Sequence, residues 1–252
     1  MMTFLPERHY LNAPITEAVI DLVVQPTADI SLEKLEMIFD EAYPKKEPLV
    51  LNQVQFAGGT TTTSQQSLGW RFRNVDGLYV YQTRLNGFGA SQLAPYQDWM
   101  TFSREARRLW NRYFGSIGPV TFQRLGLRYI NRIDIPLPLN DFGDYLLTAP
   151  LVSPHLPQGL SHYLMSLTIP IDEFVTAAVT EAVLNQDAVA MQALVPPLKP
   201  NTVSILLDID VSQMVAVPST EALVWERFEY MRKIKNHVFE SCITDRTREL
   251  FQ

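Results

Sequence analysis

The sequence predicts an α+β protein built from two halves, each a mainly antiparallel β-sheet packed by a long amphipathic helix. Three observations lead there. Short runs of alternating apolar and polar residues recur between turn residues, two longer stretches near 95–114 and 219–244 carry apolar stripes at helical spacing, and a proline-rich aperiodic segment separates them. The expected division is residues 1–135, containing an arginine-rich segment at 71–132, a connector at 136–160, and residues 161–252 ending in the second long helix. At 252 residues and 46% apolar content the chain can bury a sizeable core.

Residues 15–25 (ITEAVIDLVVQ) predict a strand with Ala18, Ile20, Leu22 and Val24 on its apolar face and Glu17, Val19, Asp21 and Val23 opposite. Ser31 predicts the cap of a helix whose Leu32, Leu35, Ile38, Phe39 and Ala42 share a stripe, with Pro44 as its stop. A strand-like run at 49–57 leads into GGTTTTSQQS, whose polar composition suits a hairpin loop. Trp70 to Arg73 and Leu78 to Leu85 then flank Asp76-Gly77, a hairpin signal because glycine supplies the positive φ of a tight turn.

Pro95 suits the first turn of a helix running to about Phe114, with Gly115 ending it. Trp99, Phe102, Ala106, Leu109, Trp110 and Tyr113 form its core face, while Arg104, Arg107, Arg108 and Arg112 line another. Residues 120–135 alternate as a long strand. Leu125, Leu127, Tyr129, Ile133 and Ile135 point one way, and Arg124, Gly126, Arg128, Ile130, Arg132 and Asp134 the other. Beyond the connector, 161–185 predicts two strands around a turn at Pro170 to Glu173, and VSILLDIDV at 203–211 another strand. Ser219 is expected to open the last helix, with Val224, Phe228, Met231, Ile234, Val238 and Cys242 on one stripe.

Charge is distributed unevenly. Residues 71–132 hold ten arginines, no lysine and three acids, a net of +7, whereas the remaining eleven basic and twenty-four acidic residues give −13. Arginine's planar fork pairs bidentately with carboxylate or phosphate, so it belongs either at a binding surface or in internal ion pairs. As a surface, Arg71, Arg73, Arg104, Arg107, Arg108 and Arg112, with Trp70 and Tyr79 for stacking, suit a polyanion such as a nucleic acid, or an acidic protein partner. As architecture, Asp208, Asp210, Glu17 and Asp21 are expected to neutralise the arginines of the 124–132 strand across one sheet, with Glu17 forming an ion pair with Arg128 or Arg132.

Catalytic signatures are missing. There is no GxxxxGK[ST] loop, no HExxH and no GxSxG, and Gly87-Phe88-Gly89 lacks the third glycine of a dinucleotide fingerprint. His9, His155, His162 and His237 are scattered without ligand spacing, and the single Cys242 excludes a disulfide framework. No cofactor is expected, and a noncatalytic binding or accessory protein is favoured. The enzymatic alternative is a divalent-metal phosphodiesterase. Asp208 and Asp210 alternate on one strand, as Glu17 and Asp21 do on another, and oxygen ligands so arranged suit Mg²⁺ or Mn²⁺. The charged start MMTFLPERHY and the lack of an 18-residue apolar run predict neither a signal peptide nor a membrane span, hence a cytoplasmic protein. Oligomeric state stays open, a homodimer through a sheet or a terminal helix being among the options.

Two stretches carry a resemblance. Tyr10-Leu11-Asn12-Ala13-Pro14-Ile15-Thr16-Glu17-Ala18-Val19 resembles an N-x-P-I-x-E-A signature, and Arg124-Leu125-Gly126-Leu127-Arg128-Tyr129-Ile130-Asn131-Arg132-Ile133 resembles an R-x-G-L-R-Y-I-N-R-I signature, of a sporadically distributed bacterial family of about this length. The similarity extends to the prolines after Asp134, the LLDID run at 206–210 and the final helix to Thr244. That family has no assigned biochemical function. Its patchy distribution implies accessory or mobile-element settings such as defence systems.

Overall fold

The computed structural model describes residues 3–26, 30–57, 60–157, 160–184, 197–214 and 221–252. Its strands are β1 (Ile15–Val24), β2 (Lys45–Ala57), β3 (Thr60–Arg73), β4 (Tyr79–Arg84), β5 (Gly87–Leu93), β6 (Phe122–Pro136), β7 (Leu164–Pro170), β8 (Val175–Val183) and β9 (Thr202–Met214). The helices are α1 (Leu32–Glu36), α2 (Trp99–Ile117), α3 (Glu221–Cys242) and α4 (Asp245–Glu249).

Two separate sheets, each under its own long helix, were the expectation, and the strand order overturns it. All nine strands join one antiparallel sheet in the order β2-β3-β4-β5-β1-β6-β9-β8-β7. Alternation marks where a strand is but not which edge it seeks. Here β1 leaves its sequence neighbour β2 and enters the sheet between β5 and β6. By compactness the chain divides into two units. One comprises Val19–Gly126 and Met214–Thr220, and the other Met1–Ala18, Leu127–Gln213 and Glu221–Gln252.

In the unit built on residues 19–126, Ile20, Leu22, Val24, Phe72, Tyr81 and Phe88 are buried from the sheet, and Phe102, Ala106, Leu109, Trp110 and Tyr113 from α2. This is the α2 face that its helical spacing predicts. Tyr81 stacks on Phe72 with centroids 4.6 Å apart, an offset contact that adds to the area both rings bury. Ser31 caps α1 as expected, yet the helix is one turn long. Sheet side chains hold it at both ends, for the Trp70 indole donates to the carbonyl of Leu32, Thr83 to that of Leu35, and Tyr81 to that of Ile38 just beyond. Asp98, not Pro95, opens α2 by accepting from the Thr101 N–H, and Gly115 lies inside the helix while Gly118, at φ 79°, ends it.

The Asp76-Gly77 turn forms as predicted, with Gly77 at φ 80°. TTTTSQQS, expected in a loop, belongs to β3, since β-branched threonine fits an extended backbone. Gly58 and Gly59 lie outside the described residues. Gly87 (φ 153°) lets β5 approach β1, for a Cβ there would stand 2.1 Å from the Leu22 carbonyl oxygen.

In the other unit, β8 alternates throughout and β9 from Ile205 onward, burying Val175, Ala177, Val179, Ile205, Leu207, Ile209 and Val211. The predicted stripe of α3, from Val224 to Cys242, is buried. Ser219, expected to cap it, lies outside the described residues.

Candidate anion-binding face

The arginines of α2 have two fates. Arg108 donates to both oxygens of Glu105 at 2.8 and 2.7 Å and to Asp40 at 2.6 Å, and Tyr43 donates to Glu105 at 2.8 Å. The bonds from Arg108 hold Glu105 below the usual carboxylate range. Burial alone would raise Asp40, but donation from Arg108 and from the Ala42 N–H holds it down as well. Arg112 donates to the Phe39 carbonyl and lies 3.6 Å from Asp40. Both arginines therefore fasten the segment after α1 to α2. Arg104 and Arg107 are exposed, Arg104 close enough to Asp98 to stabilise its charge.

The aromatic partners expected beside these arginines turn elsewhere. Trp70 is committed to the Leu32 carbonyl, and the Tyr79 hydroxyl donates to Gln97 at 3.3 Å.

A different cluster is assembled by β2 to β5 and β1. Glu47 stands opposite Arg71, Arg71 opposite Gln82, and Gln82 opposite Gly89. Directly facing residues of a ladder share a face, so this register lays one polar row across four strands. At Gly89 the row opens toward β1: a Cβ there would lie 3.6 Å from Asp21 Oδ1 and 3.8 Å from Arg84 Nη1. Asp21 receives Arg84 Nη2 at 2.5 Å and Arg124 Nη1 at 3.4 Å. Arg71 and Arg73 share Glu47 at 3.2 and 3.3 Å.

The face thus holds four guanidinium groups on two carboxylates. Arg84 and Asp21 are only 19% and 23% exposed, so their charges are less screened than surface ones. Arg84 Nε is buried without a hydrogen-bond partner. The guanidinium of Arg124 lies where a side chain at residue 126 would begin, 2.6 Å from an added Cβ, which is why Gly126 suits its place in the strand.

Arg84, Arg124, Glu47, Gln82 and Gly89 were not singled out as binding residues from sequence, and Asp21 only as a candidate metal ligand. The available signal was alternation: Asp21 and Arg124 each fall on the polar face of their strands.

In the unit containing β6 from Leu127 onward, the architectural reading applies: Asp208, one of the acids expected to neutralise the 124–132 strand, stands beside Arg128 in the place expected of Glu17. Arg128 grips Asp208 with its fork, Nε to Oδ1 at 2.8 Å and Nη2 to Oδ2 at 2.6 Å, and these bonds raise the guanidinium pKa. Glu17 adds only a more distant attraction to Arg128. Arg132 pairs with Asp134 at 3.1 Å, and Asp134 also binds Lys199 at 3.2 Å and the Ser204 hydroxyl at 2.6 Å. Asp208, offered above as a metal ligand, is thus occupied by Arg128. Among the described residues no group of three or more His, Cys, Asp or Glu side chains could hold a metal ion.

Two further titratable groups escaped the sequence. Glu181 stands on the buried face of β8 at zero exposure, and Thr148 donates to one of its oxygens while the other has no partner. Burial raises its carboxyl and pushes the Cys242 thiol up to about 12. Lys235 rests its ammonium 3.9 Å from the Tyr129 ring centroid, and burial lowers it to about 7. No helix among the described residues is long and apolar enough to cross a membrane. Comparison of the chain with protein-family models, curated proteins and solved structures finds no match.

Proposed function

We propose that this chain is a noncatalytic binding protein whose arginine-bearing sheet face engages a polyanion, a nucleic acid strand, through its phosphates. The observation that carries the reading is the constellation of Arg71, Arg73, Arg84 and Arg124 around two carboxylates, Glu47 and Asp21, a local excess of +2 in a protein of net charge −6. A guanidinium has five N–H donors, and Arg71 and Arg73 share a single oxygen of Glu47, Oε1, at 3.2 and 3.3 Å. Phosphate oxygens suit the remainder in both charge and geometry. Trp70 and Tyr79 are held by other contacts, so contact with the phosphate backbone, and not base stacking, supplies the affinity. An accessory setting such as a defence system belongs to the same proposal.

The test is fluorescence anisotropy with labelled single-stranded oligonucleotides of dT and of dA. Affinity is expected to fall steeply between ~50 and ~200 mM salt, with a slope of about −0.7 per contacted phosphate. The two bases should bind alike. Replacing Arg71 and Arg73 together by glutamine should flatten that slope by about 1.4, while Arg104→Gln with Arg107→Gln leaves it unchanged. Binding that is absent at low salt, or indifferent to Arg71 and Arg73, rejects the proposal.

A further inference from the structure

The β2–β3 hairpin outruns the sheet that supports it. β2 and β3 pair over thirteen positions, from Lys45↔Arg73 to Ala57↔Thr60, whereas β4 covers only Gly69 to Arg73 of β3. Between Leu49 and Val50 the register shifts, and beyond that irregularity the ladder from Val50↔Ser67 to Ala57↔Thr60 is a ribbon of two strands. β2 is also the first strand in the sheet order, so its other edge has no neighbour among the described residues.

A free strand edge presents a row of N–H and C=O groups, and natural edges are blunted by charge or proline. The base of β2 is blunted in this way, by Lys45, Lys46, Glu47 and Pro48. The ribbon is not. Residues 49–68 (LVLNQVQFAGGTTTTSQQSL) contain no charged residue and no proline. Protection thus stops where the ribbon begins.

We infer that the outer edge of β2, over residues 50–57, is a pairing surface for the same edge of a second copy of this chain, antiparallel about a twofold axis. The charge pattern selects the occupant. A neutral edge gives no electrostatic reward to an acidic or basic partner, and it has no cation with which to hold a phosphate. An identical neutral strand pairs with it through the backbone alone, without placing like charges opposite one another. Antiparallel self-pairing across an axis brings one residue of each copy opposite itself, so the contact is isologous and closes at two. This inference is independent of the polyanion reading.

Sedimentation velocity over a concentration series tests it. The wild-type chain should pass from monomer to dimer in a roughly micromolar range, as small interfaces do. Replacing Gln53 and Gln55 together by lysine should raise the concentration needed for dimer by on the order of tenfold or more while leaving the melting temperature unchanged. In parallel, single cysteines placed in turn at positions 51 to 55 report the register. A cysteine at or next to the axis forms an intermolecular disulfide under mild oxidation, and one farther away does not. A disulfide confined to one or two neighbouring positions supports the pairing even where the lysine variant folds poorly. A wild-type chain that stays monomeric throughout overturns the inference. So does a dimer indifferent to the lysines that yields no disulfide at any position.

Discussion

Replacing Asp21 by asparagine separates a binding face from a purely structural ion-pair cluster. The carboxylate holds Arg84 at 2.5 Å and Arg124 at 3.4 Å, and its loss leaves two guanidinium groups facing each other without their shared anion. At about 4 Å and an effective dielectric constant near 20, one such attraction is worth about 4 kcal/mol before desolvation is counted. Asp21 is 23% exposed, and Arg84 and Arg124 are 19% and 28% exposed. Solvent screening and the relieved desolvation of the carboxylate therefore reduce the net loss to about 1–2 kcal/mol.

For a chain of this size that lowers the melting temperature by about 2–8 °C. The same substitution raises the excess charge of the face by one, so single-stranded DNA should bind more tightly and with a salt slope steeper by about 0.7. Stability and affinity thus move in opposite directions. Differential scanning fluorimetry and anisotropy on one preparation measure both. A fall in melting temperature with no gain in affinity leaves Asp21, Arg84 and Arg124 as architecture alone and refutes the functional assignment.

Other consequences follow from the same contacts. Arg108→Gln should cost about 1–2 kcal/mol in chemical denaturation, because it strips donors from Asp40 and Glu105, whereas exposed Arg104→Gln should stay within about 0.5 kcal/mol of wild type. Asp208→Asn should destabilise the protein by about 1–2 kcal/mol through the lost fork of Arg128, and Mn²⁺ should shift the melting of neither form; a metal-dependent shift restricted to the wild type would revive the phosphodiesterase alternative. Glu181 has its carboxyl raised by burial, so its favourable contribution is complete below its ordinary value of 4.5 and lost as pH rises through the folded-state value. Glu181→Gln, which keeps an acceptor for Thr148, should therefore melt near the wild type at about pH 4 and above it at about pH 8, by roughly 2–4 °C. Equal melting of the two at both pH values would show that the carboxyl is not perturbed. Cys242, with its thiol pushed to about 12, should resist a neutral-pH thiol reagent in the native protein and react on unfolding.

Features governed by neighbours within a few residues were legible in the sequence. The alternation of β1, the buried face of α2 from Trp99 to Tyr113, the stripe of α3 and the turn at Asp76-Gly77 each follow from spacing of 2 or 3.6 residues, or from one glycine's φ. Misread boundaries had local causes of their own. Asp98 offered a better cap than Pro95, and α1 ends after a single turn at Met37. Threonine's polarity suggested a loop where its branching favoured the strand β3.

By itself the sequence determined where β1, β6, β8, β9, α2 and α3 lie, their buried faces and the concentration of guanidinium groups in one segment, because each is a property of adjacent residues. Only the tertiary structure decided that nine strands share one sheet and which acid each arginine meets. Asp21 lies 63 residues from Arg84 and 103 from Arg124, and Arg128 lies 80 from Asp208. Strand order sets those encounters, and strand order follows from the competition of all edges for partners, which no local period records.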